Sequence, residues 1–298
     1  MVPPPRADAP AVRTVHLASA EADIFNAMFR EASGLRLLPN RVFVDHTGKI
    51  LFETNEVGFK GDPIDPHRQL AVVWGDSVAF STGRGWPCLL DELAPGYQFL
   101  NGGLDGDPYD NILRRARLFN SEHRVALNLM MLGWHPFLPE RTVQRPRLMA
   151  RLFGGMATVE RQLGRGGNRG LGEALDTFLI EVPNTVVLTM PTAVNAAIAD
   201  IDLSPSFNPD FRFLGRVGYK PGAQRQALAH ILERNAITRD ICAARGVRFV
   251  DLYAALDTTQ VPDFRRHFRD ILHLHPASYR VIAQIVYDGI KDLLRRPA

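Results

Sequence analysis

Two separated segments carry residue types that together can transfer an acyl group. Gly75-Asp76-Ser77 follows an apolar run, and Asp270-Ile271-Leu272-His273 lies close to the other end of the chain. A serine hydroxyl is a weak nucleophile until a base takes its proton, and an imidazole held by a carboxylate is such a base. Asp270 and His273 are three positions apart, which places two side chains on one face of a turn or short helix. The carboxylate can then hold Nδ1–H and leave Nε2 facing Ser77. Either half alone has a plainer reading, a serine capping the next helix or a surface ion pair before the last one. Their joint occurrence at the ends of predicted strands is what points to acyl transfer.

The elements that must position these residues alternate along the chain. Short β-rich apolar runs are predicted as strands at 70–74, 97–101, 124–132, 185–190 and 247–251. Amphipathic stretches predict helices at 108–120, 148–163, 223–244 and 277–294. In the last, Tyr279, Ile282, Ala283, Val286, Ile290 and Leu293 share one face. This alternation predicts an α/β fold, a three-layer α/β/α sandwich around a five-stranded parallel sheet with right-handed crossovers. Catalytic side chains of such sheets emerge at the carboxyl ends of the strands, where Ser77 falls.

Residues 1–68 differ in character, with a helix expected at 20–32 and a hairpin of strands 41–45 and 49–54 turning at His46-Thr47-Gly48. A Gly/Pro-punctuated connection follows at 57–63. The segment is too poor in apolar residues to stand alone, so it reads as an extension packed on a core domain spanning 69–298. The proline-rich first ten residues read as frayed. Two long insertions, 136–178 and 193–222, follow predicted strands and are expected to wall or cover the binding cleft. The glycines at 164–172 read as a flexible loop.

The bulk numbers bound the answer. With 298 residues, 46% hydrophobic and 22% charged, the chain has the composition of a globular protein. No run of about eighteen apolar residues is present, so no membrane span is expected. The N-terminus lacks the basic-then-apolar order of a secretory signal, and Cys88 and Cys242 read as buried thiols. The cytoplasm is the default compartment. The net charge is +3, and the excess is local: seven arginines face three glutamates between Phe137 and Leu175. That stretch reads first as a solvated helix face and second as a draw for an anionic group. Neither phosphate-loop glycines nor aromatics interleaved with the arginines occur, so nucleic acid is not an expected partner. His267, His273 and His275 cluster near Asp263 and Asp270, yet no zinc-type spacing supports a metal, and no cofactor is expected.

Over residues 55–295 the chain resembles the SGNH (GDSL-type) hydrolases. Val72 to Gly83, containing Gly75-Asp76-Ser77, looks like the first block, whose serine is the nucleophile. Phe99-Leu100-Asn101-Gly102-Gly103-Leu104-Asp105-Gly106-Asp107 looks like the second, with the oxyanion-binding glycine at Gly106. Asp270 to Tyr279 is similar to the last block, Asp-x-x-His followed by Pro-x-x-Tyr. Val57-Gly58-Phe59-Lys60-Gly61 resembles the Gly-Phe-Arg-Gly lead-in of some members, and 246–252 also has the family's look. The third block departs: Gly133-Trp134-His135-Pro136 stands where Gly-x-Asn-Asp is expected. His135 then occupies the place of the asparagine that donates to the oxyanion, a role an imidazole N–H can also fill. The resemblance implies a flavodoxin-like fold and a serine esterase working through an acyl-enzyme. Ser77, His273 and Asp270 would be its triad, and Ser77, Gly106 and His135 its oxyanion hole. Small acyl esters, O-acetylated glycans and lipid esters are the implied substrates. An O-acyltransferase with the same triad, or a non-catalytic binding protein on the scaffold, are the alternatives.

Overall fold

The computed structural model describes residues 13–16, 37–133, 167–193, 221–256, 267–268 and 273–294. Three short strands come first: β1 (Arg13–His16), β2 (Arg41–Val44) and β3 (Ile50–Thr54). β2 and β3 pair antiparallel as the sequence predicts, and β1, which it does not, adds parallel to β2. The hairpin turns on Asp45, whose Oδ1 accepts from Thr47 N–H, Thr47 Oγ1 and Lys49 N–H. This is the local competition with regular structure that makes aspartate a turn residue. Phe43 and Phe52 stack 4.4 Å apart and pack with Leu37 on Phe80 and Leu104 of the main body.

The main sheet is parallel throughout. β4 (Gln69–Trp74), β5 (Tyr97–Asn101), β6 (Leu127–Met131), β7 (Thr185–Leu188) and β8 (Phe249–Val250) lie in the order β5-β4-β6-β7-β8. The helices are α1 (Ser77–Phe80), α2 (Leu90–Leu93), α3 (Tyr109–Glu122), α4 (Gly167–Glu181), α5 (Pro221–Arg245), α6 (Leu252–Ala255) and α7 (Tyr279–Leu294). Ala71 and Val73 of β4 pack with Leu90, Ile282 and Val286 on one face. Val72 and Trp74 pack with Ile112, Leu175 and Phe178 on the other. A strand covered on both faces must be apolar at every position, which is why it reads as a continuous run. Asn128 is tolerated in the middle of β6 because its Oδ1 accepts from Trp74 Nε1 at 2.8 Å. The three-layer α/β/α sandwich is therefore present as expected. No described helix is long and apolar enough to cross a membrane.

Three strands are shorter than predicted: β6 omits 124–126 and Leu132, β7 omits Thr189 and Met190, and β8 omits Val247, Arg248 and Asp251. The larger correction concerns the glycines expected to form a flexible loop. From Gly167 onward they lie in α4, whose Leu171, Leu175, Phe178 and Leu179 are buried against α3. That apolar face outweighs the roughly 1 kcal/mol each mid-helix glycine costs. Gly170 is also required by closeness, since a Cβ there would lie 2.9 Å from the Tyr109 hydroxyl. Residues 170–178 thus form a helix whose apolar face, Leu171, Leu175 and Phe178, belongs to the core. The helices expected at 20–32 and 148–163, and most of both insertions, lie outside the described residues.

Candidate active site

Ser77 opens α1, one turn of helix at the carboxyl end of β4. Asp76 caps it, with Oδ1 accepting from Val78 N–H at 3.0 Å. Gly75 is needed there for closeness. A Cβ would stand 2.7 Å from that of Ala79 and 3.1 Å from the Met131 carbonyl oxygen. From 70 to 80 every residue but Ser77 is buried, so the chain presents one side chain. His273 meets it: Nε2 lies 2.9 Å from Ser77 Oγ, across 196 positions of sequence. The imidazole is buried, at the end of a segment closed by a Phe268/Leu274 bridge and by His275 N–H donating to the His267 carbonyl at 2.8 Å. His267 Nδ1 lies 3.1 Å from Ser278 Oγ, which ties the segment to the start of α7. Asp270 lies outside the described residues.

The loop after β5 approaches the same turn. Gly102 N–H donates to the Val73 carbonyl at 2.9 Å and Leu104 N–H to that of Gly75 at 3.0 Å. Gly103 lets the loop lie against α1, for a Cβ there would sit 2.4 Å from Phe80 N. Gly106 follows at φ 70, in a turn whose far end is Asp107. Asp107 is buried and bound by Arg115, whose Nη2 donates to it and to the Gly102 carbonyl, both at 2.8 Å. Burial pushes the Asp107 carboxyl pKa up, with Arg115 and Asn111 pulling it down. The second block is therefore braced by a buried ion pair that no motif advertises.

Of the third block only Gly133 is described; His135 lies outside the described residues. A Cβ on Gly133 would come within 3.0 Å of Asp76 Oδ2. Behind it Arg234 of α5 is buried, donates to the Leu132 carbonyl and stands 5.5 Å from the centre of the Tyr109 ring. Burial lowers its pKa to about 10, partly offset by the charge of Asp76. Among the described residues no group of three or more His, Cys, Asp and Glu could hold a metal. His275 Nδ1 instead accepts from Ala277 N–H, and Asp251 caps α6 while accepting from Thr189 and Arg239.

Lys60, Asn101 and the Thr82–Tyr279 contact also bear on the site; they fall inside the blocks that carry the resemblance, which gives them no role there. Asn101 Nδ2 donates to the Phe80 and Arg84 carbonyls, and its Oδ1 accepts from Gly103 N–H. A polar residue at the end of an apolar strand was the available signal.

Comparison with protein-family models and with curated protein sequences finds no match. Solved structures do match. A lipase/acylhydrolase from Enterococcus faecalis is 16% identical with TM-score 0.52, covering 77% of this chain and 100% of its own. An alpha/beta hydrolase enzyme from the metagenome of Lake Arreo is 15% identical with TM-score 0.51, covering 77% and 98%. A catalytic mutant of an acetylxylan esterase from Geobacillus stearothermophilus is 13% identical with TM-score 0.50, covering 79% and 99%. At these identities the likeness is one of fold.

Proposed function

We propose that the protein is a serine hydrolase that cleaves a carboxylic ester through an acyl-enzyme. The observation that carries this reading is the 2.9 Å contact between His273 Nε2 and Ser77 Oγ, at a strand end where the serine alone is open to solvent. His273 accepts the hydroxyl proton as Oγ attacks the ester carbonyl, and Asp270 orients the ring and stabilises the imidazolium. The oxyanion is met by the N–H groups of Ser77 and Gly106, with His135 as third donor in place of an asparagine. His273 then protonates the leaving alcohol. A water deprotonated by the same ring attacks the acyl-enzyme, releasing the acid and restoring Ser77.

The shared fold with proteins described as a lipase/acylhydrolase and an acetylxylan esterase supports ester chemistry and leaves the acyl group open. Small-molecule, glycan and lipid esters are the substrate classes, with the arginine-rich insertion as the place for an anionic group. In this reading 69–298 forms the hydrolase domain, and 1–68 is an extension packed on it through Phe43 and Phe52. The test is a series of p-nitrophenyl esters of increasing chain length, with fluorophosphonate labelling. Turnover and labelling at Ser77 are expected, both lost in Ser77→Ala and His273→Ala. Equal turnover by wild type and Ser77→Ala ends the serine mechanism.

A further inference from the structure

Lys60 is 0% exposed, which is rare for an ammonium group and calls for a reason. Its backbone pairs with Asn101 at the end of β5, N–H to carbonyl in both directions at 3.2 and 3.0 Å. Its Nζ donates to the Ser81 carbonyl at 3.0 Å and stands 3.5 Å from the centre of the Phe80 ring and 5.2 Å from that of Phe52. Three parts of the chain meet there: the hairpin, the connection after it, and the end of the helix that Ser77 begins.

That helix is a single turn and gains nothing from cooperative length. Its end is held from outside: Trp86 Nε1 donates to the Val78 carbonyl, Asn101 Nδ2 to that of Phe80, and Lys60 Nζ to that of Ser81. Ser81 has φ 56 and ψ −174, a conformation an L-residue adopts only when its surroundings impose it. Its N–H donates to the carbonyl of Ser77 itself at 2.9 Å, and its Oγ to that of Val78 at 2.8 Å. The peptide that Lys60 grips is therefore one hydrogen bond from the nucleophile. A cation at the carbonyl end of a helical turn, over an aromatic face, is favourable on both counts.

We propose that Lys60 is a positioning residue, whose buried ammonium locks Ser81 and Phe80 and so fixes Ser77 against His273. The inference rests on the serine mechanism proposed above. Burial lowers the Lys60 pKa to about 7, with the charge of Asp105 pulling the other way. The Cys88 thiol is itself pushed up to about 11 by burial, so it stays neutral where Lys60 titrates. Arg84, beside Cys88, is paired with Asp62 at 2.7 Å. The ammonium is present below the neutral range and lost above it, and the grip on Ser81 weakens with it.

The experiment measures fluorophosphonate labelling of Ser77, with kcat and KM for p-nitrophenyl acetate, from pH 5.5 to 9.5. It compares the full-length wild type, Lys60→Met and Lys60→Arg. At pH 6.5 Lys60→Met is expected to label and turn over about 10- to 100-fold more slowly with KM within about twofold, since small misplacements of reacting groups cost rates of this order. Wild type should lose its advantage above about pH 8, whereas Lys60→Arg, which keeps its charge, should show no such fall. Lys60→Met with wild-type rates and profile, while Ser77→Ala stays unlabelled, overturns the role of Lys60 and leaves Ser77 in place. If Lys60→Met does not fold, the wild-type profile decides: a rate holding its maximum to pH 9.5 overturns the proposal, and a fall through the neutral range that Lys60→Arg abolishes supports it. Absence of labelling at Ser77 in the wild type removes the serine mechanism and this inference together.

Discussion

The hydroxyl of Tyr279 meets Thr82 twice, accepting from its N–H and lying 2.9 Å from its Oγ1, also at 2.9 Å from N. Thr82 follows the helix of Ser77 by two residues, and Tyr279 begins the helix that follows His273. The contact spans 197 positions and closes the two halves of the site onto each other away from the reacting atoms. Tyr279→Phe keeps the ring and removes both interactions. It should cost about 1–2 kcal/mol in urea unfolding, the range for a hydrogen bond whose partner is left behind. A several-fold fall in kcat at unchanged KM should accompany it; a kcat equal to wild type would make the contact purely structural.

Arg115 and Asp107 brace the turn that carries Gly106, with side chains 4% and 0% exposed. Removing one member of a buried pair leaves the other charge uncompensated, at a cost of about 3–5 kcal/mol. Arg115→Met should therefore destabilise by that order, and Arg115→Met/Asp107→Leu should recover part of the loss. Chemical denaturation of the four proteins of this cycle checks it, and additive losses would sink the argument.

The fold was legible because a sheet covered on both faces writes itself as apolar runs, and β4 and β5 appear almost residue for residue. The pairing of Ser77 with His273 was legible because both lie at element ends whose positions the alternation sets. Hidden were features whose signal is spatial. Gly167 to Gly172 look like a loop until Leu171 and Phe178 are seen in the core, since a buried face outweighs intrinsic helix preference. The burial of Lys60 and Arg115 was hidden because their partners lie 21 and 8 positions away on other segments, although the lead-in resemblance did include Lys60.

Gly103 offers a sharp test of how the loop of Gly106 seats on α1. Its neighbours at the would-be Cβ are backbone atoms, Phe80 N at 2.4 Å and Ala79 C at 2.8 Å, which cannot swing aside as a side chain can. Gly103→Ala should push the loop off the helix, costing about 1–3 kcal/mol or more as overpacking does. Because Gly106 moves with the loop, kcat should fall at least tenfold while KM changes less. Wild-type stability and kcat together would mean the two segments do not touch as described.

The stability of the fold should carry the mark of Lys60 independently of any activity. The amine titrates near pH 7 when folded and near 10.5 as an ordinary lysine, because burial disfavours its charge. Between those values the unfolded chain binds the extra proton, so folding stability contributed by this group rises with pH from about 7 to 10.5 and is flat below. Lys60→Met has no such proton. The difference in Tm between Lys60→Met and wild type should thus be most in favour of methionine at pH 6 and shrink towards pH 10. At about 2–4 °C per kcal/mol for a chain of this size, the narrowing should reach about 5 °C or more. Titrating groups beyond the reach of Lys60 are common to both proteins and cancel in the comparison; Asp105 and Cys88, which feel its charge, are the exceptions. A gap that stays constant from pH 6 to 10, read by calorimetry, would place the Lys60 amine in water.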